Sequence, residues 1–175
     1  HLGGEGEPIM LMAHVDTLGA MVDCVKPDGR LMVSRIGGLQ ATNTETMNVK
    51  VKTRFDGEYE GTIQIANASA HVNTKYSQTA RDFDESMEVV LDEHVKNAED
   101  VAKLGIRAGD FVCVEPRFTV TSKGYIKSRF LDDKLSVGIL LGFAKYLADN
   151  RITPKRRTWV HVTVYEEVGH GGSGS

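Results

Sequence analysis

The hydrophobic pattern of the chain changes twice, and these two changes restrict the fold more than any other feature of the sequence. Residues 9–15 form an almost wholly apolar run, which is typical of a strand covered on both faces. Towards the other end, residues 135–147 have the composition of a mostly buried helix, and residues 158–165 that of a further strand. We therefore predict an α/β domain in two segments, residues 1–37 and 123–175, separated by an inserted module, residues 38–122.

The inserted module has the pattern of half-exposed antiparallel β-structure. Apolar and polar residues alternate over residues 47–55 and again over residues 61–66. A short helix is predicted over residues 97–104, and an apolar strand over residues 111–114 follows it. The polar residues 67–86 show no clear period and are predicted to be a mobile loop. The simplest interpretation is a small β-rich module with one helix.

Composition excludes several classes of protein. The 175 residues carry 21 basic and 24 acidic side chains, which leaves a net charge of −3 and argues against a nucleic-acid binder. The apolar runs are far shorter than the ~20 residues that cross a bilayer, so we expect no membrane partner. The two cysteines, Cys24 and Cys113, form neither a disulfide framework nor a CxxC pair. Together with the lack of a secretory leader after His1, they predict partly buried, reduced thiols and a cytoplasmic protein.

Three segments end or begin an apolar element with acidic or imidazole side chains. His14 and Asp16 follow the first apolar strand, Asp132 and Asp133 precede the long helix, and a pair of glutamates at 166 and 167 follows the last strand. Ligands of open α/β sheets bind at the carboxyl ends of the strands. If the strands are parallel neighbours, we expect the three clusters to converge on one crevice.

Each cluster also has an ordinary structural explanation. A His and an Asp near a strand end are commonly surface residues, and an HxD pattern alone is a weak indication of a metal site. Asp132 and Asp133 suit the N-terminal cap of a helix, where negative charge is favourable. Glu166 and Glu167 suit a solvated strand end.

Taken together, the clusters supply the inventory that divalent cations need. Zinc binds imidazole nitrogen and carboxylate oxygen, and a carboxylate can bridge two ions. Alternate residues of a strand share a face, so Asp16 can accept the second ring N–H of His14 and fix its tautomer. Of Glu166 and Glu167, one can bind metal while the other takes the proton from an attacking water.

Four segments of the sequence are similar to those of a known family. Residues 13–19 read AHVDTLG, residues 129–141 read RFLDDKLSVGILL, residues 165–174 read YEEVGHGGSG, and residues 97–112 read NAEDVAKLGIRAGDFV. These segments resemble the characteristic blocks of the cocatalytic metallopeptidases of the glutamyl aminopeptidase type, peptidase family M-forty-two, which includes the tetrahedral TET aminopeptidases. The resemblance implies a zinc-aminopeptidase-like α/β catalytic domain, incomplete in this chain, with an inserted small β-barrel domain.

The resemblance also implies roles for the matching residues. His14 would be a ligand of one metal, Asp132 the bridging carboxylate and Glu167 a further ligand. Glu166 would be the general base. Asp16 would contribute to catalysis by forming a hydrogen bond with His14. The cofactors would be two divalent ions, with zinc expected and cobalt or manganese as alternatives. Related enzymes hold a cis peptide where Asp133 follows the bridging residue.

The chain also departs from the family pattern. The family completes its site with a further Asp and a final His after the Glu-Glu block, and this sequence ends at Ser175. We therefore expect a fragment that lacks the C-terminal part of the catalytic domain. His170 is predicted to be a glycine-flanked surface residue and His161 a packing or solvent-facing one. His71 and His94 lack ligand-like spacing.

The function implied by the resemblance is that of a metal-dependent aminopeptidase, a hydrolase that cleaves the N-terminal peptide bond of short peptides through a di-metal-activated water. The partners would be the peptide substrate and further copies of the chain, from a dimer to a dodecamer. We expect the isolated chain to bind metal weakly, and an inactive isolated chain is one open alternative. The missing ligands leave two further alternatives open. One is a catalytically incomplete homologue that acts in assembly or peptide binding, and the other is a related di-metal deacylase with a different pocket.

Overall fold

A computed structural model describes residues 1–172 of the chain. Ser173, Gly174 and Ser175 lie outside the described residues, and the first two of them end the third family-like segment. The strands, in chain order, are β1 (Glu5–His14), β2 (Gly19–Val25), β3 (Leu31–Ile36), β4 (Met47–Lys52), β5 (Glu58–Ile65), β6 (Met87–Leu91), β7 (Phe111–Val114), β8 (Thr119–Val120), β9 (Ile126–Lys127) and β10 (Arg156–Thr163). The helices are α1 (Ala98–Lys103) and α2 (Leu131–Asp149), with short 3-10 turns at Ala41–Asn43 and Tyr76–Gln78.

The chain divides into two compact units. One unit consists of residues 1–17 and 116–175, and the other consists of residues 18–115. The sequence placed these boundaries later, at residues 37 and 122. The difference arises because β2 and β3, which looked like a continuation of the first α/β segment, pair with barrel strands.

The unit of residues 18–115 is a closed antiparallel barrel. Its strands follow one another in the order β2-β3-β6-β5-β4-β7, and β7 pairs with β2 to close it. Closure leaves no unpaired sheet edge, and the inward side chains alternate along each strand. The core is built from fully buried branched and thioether side chains, for example Leu31, Met47, Ile63 and Val89.

Local sequence explains the boundaries of the barrel elements. The helix α1 begins after Asn97, whose side-chain oxygen accepts the Asp100 N–H at 2.9 Å, and it ends before Gly105, which has a φ of +81°. The predicted helix and strand of this region are confirmed. The strand β6 was not predicted, because one of its residues, Glu88, is charged and yet buried.

The predicted mobile loop of residues 67–86 is held by defined contacts. It contains the 3-10 turn Tyr76–Gln78, and Arg81 forms an ion pair with Glu45 at 2.8 Å. The Tyr76 hydroxyl donates to the same carboxylate, also at 2.8 Å. The lack of hydrophobic periodicity is therefore a poor guide here, because polar contacts and the single buried side chain of Phe83 leave no periodic pattern.

The other unit contains a parallel pair of strands. β1 and β10 run side by side with His14 opposite Thr163, and α2 packs against β1. β8 and β9 form a separate two-stranded hairpin. No helix within residues 1–172 combines the length and the apolar character that a membrane crossing requires.

Two burial predictions for this unit are wrong. Met10 and Met12 of β1 are 55% and 42% exposed, so the strand is not covered on both faces. In α2, only Val137 and Leu147 are buried, whereas Ile139 and Leu141 are about three-fifths exposed, at 61% and 60%. The reason is that a two-stranded sheet can cover only one stripe of the helix.

The cysteines also differ from their prediction. Cys24 and Cys113, predicted to be partly buried, are both exposed on the barrel unit. They occupy positions of β2 and β7 whose side chains point away from the core.

Candidate active site

The three acidic and imidazole clusters converge, as the sequence predicts. β1 and β10 are parallel, so their carboxyl ends lie side by side and place His14 next to the segment of Glu166 and Glu167. His14 Nε2 lies 3.2 Å from Asp132 Oδ1 and 3.6 Å from Glu166 Oε2. The backbone N–H of Glu167 donates to Asp16 Oδ2 at 3.1 Å. The other four residues of the predicted site therefore lie near the imidazole ring of His14, three through their side chains and Glu167 through its contact with Asp16.

The start of α2 differs from an ordinary capped helix. No side chain caps its N-terminus, and both Asp132 and Asp133 have non-helical backbone angles. Asp133 Oδ2 instead accepts the backbone N–H of His14 at 3.2 Å. The peptide bond between Asp132 and Asp133 is cis, as the resemblance implies. The simple helix-cap explanation for this pair does not describe what the two carboxylates do.

Asp16 lies beneath the imidazole and joins the two strand ends. His14 Nδ1 is 3.2 Å from the Asp16 carbonyl oxygen and 3.3 Å from its Oδ1. Of the side-chain oxygens described in residues 1–172, Asp16 Oδ1 is the buried one that no donor meets with hydrogen-bond geometry. The imidazole N–H therefore points mainly to the backbone carbonyl, and the carboxylate supports it from the side.

The pKa values of these two groups follow from burial and neighbouring donors. Burial alone would raise the pKa of Asp16, but the backbone N–H groups of Glu167 and Glu166 outweigh it and hold the pKa below its ordinary value. Burial alone would lower the pKa of His14. The Asp16 carbonyl and the surrounding carboxylates, Asp132 first among them, outweigh burial and raise it.

The pKa of Glu167 reflects the same concentration of negative charge. Its pKa is raised, first by burial and then by the charge of Asp132, with smaller contributions from Glu166 and Asp16. The raised pKa values of His14 and Glu167 both reflect an excess of carboxylate groups around the ring, and a divalent cation bound there would take the place of the proton that each group otherwise keeps.

The donor set fits a divalent metal in chemistry and partly in spacing. Two ligand atoms of a tetrahedral zinc ion lie about 3.3 Å apart when each bond is about 2.05 Å. The 3.2 Å between His14 Nε2 and Asp132 Oδ1 matches that spacing, and Glu167 adds a carboxylate beside them. Across residues 1–172, however, no three His, Cys, Asp or Glu side chains are grouped tightly enough to hold one ion.

Sequence reasoning missed two residues of this site. Asp133 was expected only to follow the bridging carboxylate, yet it binds the backbone of His14. His170, expected to be a surface residue, has Nδ1 only 2.6 Å from Glu166 Oε1. The glycines on both sides of His170 were the available signal, because they allow a turn that folds back on the strand end. His161 lies in β10, and His71 and His94 lie in the barrel unit.

The fold and the site together define a class of protein. A parallel strand pair that ends on an imidazole and several carboxylates, in a chain that also forms a closed barrel, is the arrangement of the α/β metallopeptidases with an inserted barrel. A family comparison matches M42 glutamyl aminopeptidase over residues 1–175, and the chain belongs to that family. Aminopeptidases of this family are metal-dependent.

Individual relatives agree with this membership. The chain is 42% identical over 164 residues to the Bacillus subtilis (strain 168) protein named "Putative aminopeptidase YhfE", a match that covers 94% of this chain and 47% of that protein. Among solved structures it resembles aminopeptidase APDkam598 of the archaeon Desulfurococcus kamchatkensis, with 28% identity and a TM-score of 0.79 over 95% of this chain and 43% of that one.

A third relative is described by its assembly. The TET1 peptidase of Pyrococcus horikoshii can assemble into a tetrahedron or a large octahedral shell. It shares 27% identity and a TM-score of 0.76 with this chain, over 95% of this chain and 48% of that one. The chain thus spans about half the length of the relatives it matches.

Proposed function

We propose that the protein carrying this chain is a metal-dependent aminopeptidase that hydrolyses the N-terminal peptide bond of short peptides. One observation carries the proposal. A buried imidazole, that of His14, lies within 3.2 Å of Asp132 and 3.6 Å of Glu166 at the carboxyl ends of two parallel strands. Membership of the aminopeptidase family supports the choice of reaction.

Three residues would hold the metal. His14 offers its Nε2, and Asp132 and Glu167 offer carboxylate oxygens. Two divalent ions, zinc in the first instance, would supply a Lewis acid for the scissile carbonyl and lower the pKa of a water molecule. Asp16 would keep the His14 ring oriented, because it holds the ring Nδ1 side while Nε2 faces the carboxylates.

Glu166 is the proposed general base. Its Oε2 faces His14 Nε2 at 3.6 Å, on the side where Asp132 also lies. A carboxylate there can take the proton of an attacking water and return it to the leaving amine. The net reaction consumes one water and yields an amino acid and a shortened peptide.

Two further properties belong to the proposal. Self-association is supported by the assembly of the TET1 peptidase, and the expected range is a dimer to a dodecamer. A cytoplasmic location is proposed because the two cysteines do not form the framework of a secreted domain.

Metal removal tests the proposed function. The whole protein that carries this chain, loaded with Zn²⁺ or Co²⁺, is assayed on short peptides and aminoacyl p-nitroanilides before and after chelation, and bound metal is counted by mass spectrometry. We expect chelation to abolish cleavage and added metal to restore it.

Matched histidine variants complete this experiment. His14→Ala should lose metal and cleavage, whereas His94→Ala, an exposed change on the barrel unit, should keep both. Metal uptake without any cleavage would contradict the aminopeptidase and favour the incomplete homologue that acts in assembly or peptide binding. Cleavage of other amides, with peptides left intact, would favour the deacylase.

A further inference from the structure

His170 contacts Glu166 through both its backbone and its side chain. The His170 backbone N–H donates to the Glu166 carbonyl at 2.8 Å, and its ring Nδ1 lies 2.6 Å from Glu166 Oε1. An ionised carboxylate can only accept hydrogen bonds, so Nδ1 carries the proton in this contact. The two bonds close one tight turn at the end of β10.

The local sequence is built to make this turn. His170 has a φ of +57°, in the left-handed region, and Gly169 before it has a φ of +126°. A Cβ on Gly171 would come within 2.8 Å of the Tyr165 Cβ, so the chain passes too closely there for a larger residue. The glycines on either side of His170 thus let the backbone fold the ring over Glu166.

With this contact in place, the two carboxylate oxygens of Glu166 face different residues. Oε1 faces His170, and Oε2 faces His14 Nε2 at 3.6 Å. Without a partner on Oε1, the carboxylate could rotate about its terminal torsion, which is broad and weakly restricted. The His170 ring is 83% exposed, so the pair contributes little to folding stability and its effect is on orientation.

We propose that His170 is a positioning residue that holds Glu166 Oε1, so that Oε2 points to the side of the site where the reacting water binds. This inference rests on the proposed role of Glu166 as general base. It assigns a function to a histidine that is not a metal ligand in the proposed site.

A kinetic experiment tests the positioning role. In the whole metal-loaded protein that carries this chain, His170→Ala should lower kcat about tenfold to a hundredfold and leave KM and the melting temperature unchanged. His170→Asn should restore most of kcat, because its amide nitrogen can occupy the place of Nδ1. His94→Ala is the control. A His170→Ala variant with wild-type kcat, or an Asn variant as slow as the Ala variant, would overturn the proposal.

A second readout does not depend on activity. In ¹⁵N-histidine-labelled chain, the Nδ1–H signal of His170 should be present and shifted downfield by its carboxylate partner. Glu166→Ala should remove that signal, and Glu7→Ala, an exposed carboxylate of the same unit, should not. A wild-type chain without the signal overturns the inference. A chain that shows the signal but cleaves no peptide contradicts the proposed function and leaves the Glu166–His170 contact established.

Discussion

Asp16 connects the two strand ends of the site without being a proposed metal ligand. Its Oδ2 accepts the Glu167 N–H at 3.1 Å, and its Oδ1 lies 3.3 Å from His14 Nδ1. The low pKa of this carboxyl keeps it negative at neutral pH, despite its burial. It therefore lies against the His14 ring and holds the backbone of Glu167, the two residues that we propose to bind metal.

A substitution of Asp16 tests its orienting role. Asp16→Asn removes the negative charge beside His14 and replaces one acceptor oxygen by a donor, so the ring and the Glu167 backbone lose a shared anchor. We expect metal affinity to fall about tenfold to a hundredfold, as measured by titration against a competing chelator.

The matched change for Asp16 is Asp23→Asn, because Asp23 is an exposed aspartate of the barrel unit. Its metal affinity should equal that of the unchanged chain. If Asp16→Asn also binds metal as tightly as the unchanged chain does, Asp16 has no orienting role.

Residue types and spacing predicted most of the residues that converge in the candidate site, and backbone geometry adds the others. His14, Asp132 and Glu166 could be found because each lies at the end of an apolar element. Asp133 and His170 could not, since their contacts depend on a non-helical start of α2 and on a left-handed turn after β10. A one-dimensional pattern contains little information about either feature.

Among the secondary-structure elements, the sequence pattern did not predict β6 as a strand, because this strand contains a charged residue that is buried. Glu88 is 1% exposed, and the cations of Lys26 and Arg30, from the β2–β3 hairpin, bind it. The Lys26 ammonium lies 2.7 Å from its Oε2. Removing a partner from a buried charge is costly, so this pairing ties the hairpin to β6. Lys26 and Glu88 are 62 residues apart in the sequence, so the sequence pattern does not indicate that they pair.

The segment of residues 67–86 is attached to the barrel by a second polar contact. Arg81 donates to both oxygens of Glu45, and Tyr76 donates to one of them. The Arg81 guanidinium, and then the Tyr76 hydroxyl, hold the pKa of Glu45 below its ordinary value of 4.5 although burial opposes them. The contact is therefore complete at neutral pH and sensitive to acid.

The lowered pKa of Glu45 makes the stabilisation by this contact dependent on pH. A depressed pKa in the folded state means that the stabilisation by Glu45 is fully present above about pH 4.5 and is lost as the pH falls through the lowered value. We expect the chemical shift of the Arg81 Nε–H resonance to be constant above pH 4.5 and to move only at lower pH, as the Glu45 carboxylate takes up a proton. In Glu45→Gln the chemical shift should differ from that of the unchanged protein already at neutral pH. A Glu45→Gln chemical shift equal to that of the unchanged protein contradicts this attachment.

At the scale of the whole molecule, the change of hydrophobic pattern was enough to predict an α/β unit with an inserted barrel. The closed barrel and the parallel β1–β10 pair confirm that fold class. The pattern could not fix the boundary, because β2 and β3 have the same apolar content whether they extend an α/β sheet or line a barrel. Non-local pairing of β3 with β6 and of β2 with β7 decides it.

Burial in the α/β unit also depends on more than local sequence. Leu135 and Phe143 of α2 are 42% and 38% exposed, although the helix reads as a buried one. The sequence predicts which side chains are apolar, and the neighbours present determine which of them are covered. The chain matches about half the length of its relatives, and these exposed fractions are those of the chain alone.

The central claim is that Glu166 acts as the base of a metal-dependent aminopeptidase. The most direct measurement compares turnover and bound metal in the whole metal-loaded protein and in its Glu166→Gln variant, which keeps the shape of the side chain and removes its basicity. We expect the variant to retain its metal and to lose about 10² to 10⁴ in kcat. A Glu166→Gln variant that cleaves peptides as fast as the unchanged chain would contradict the claim.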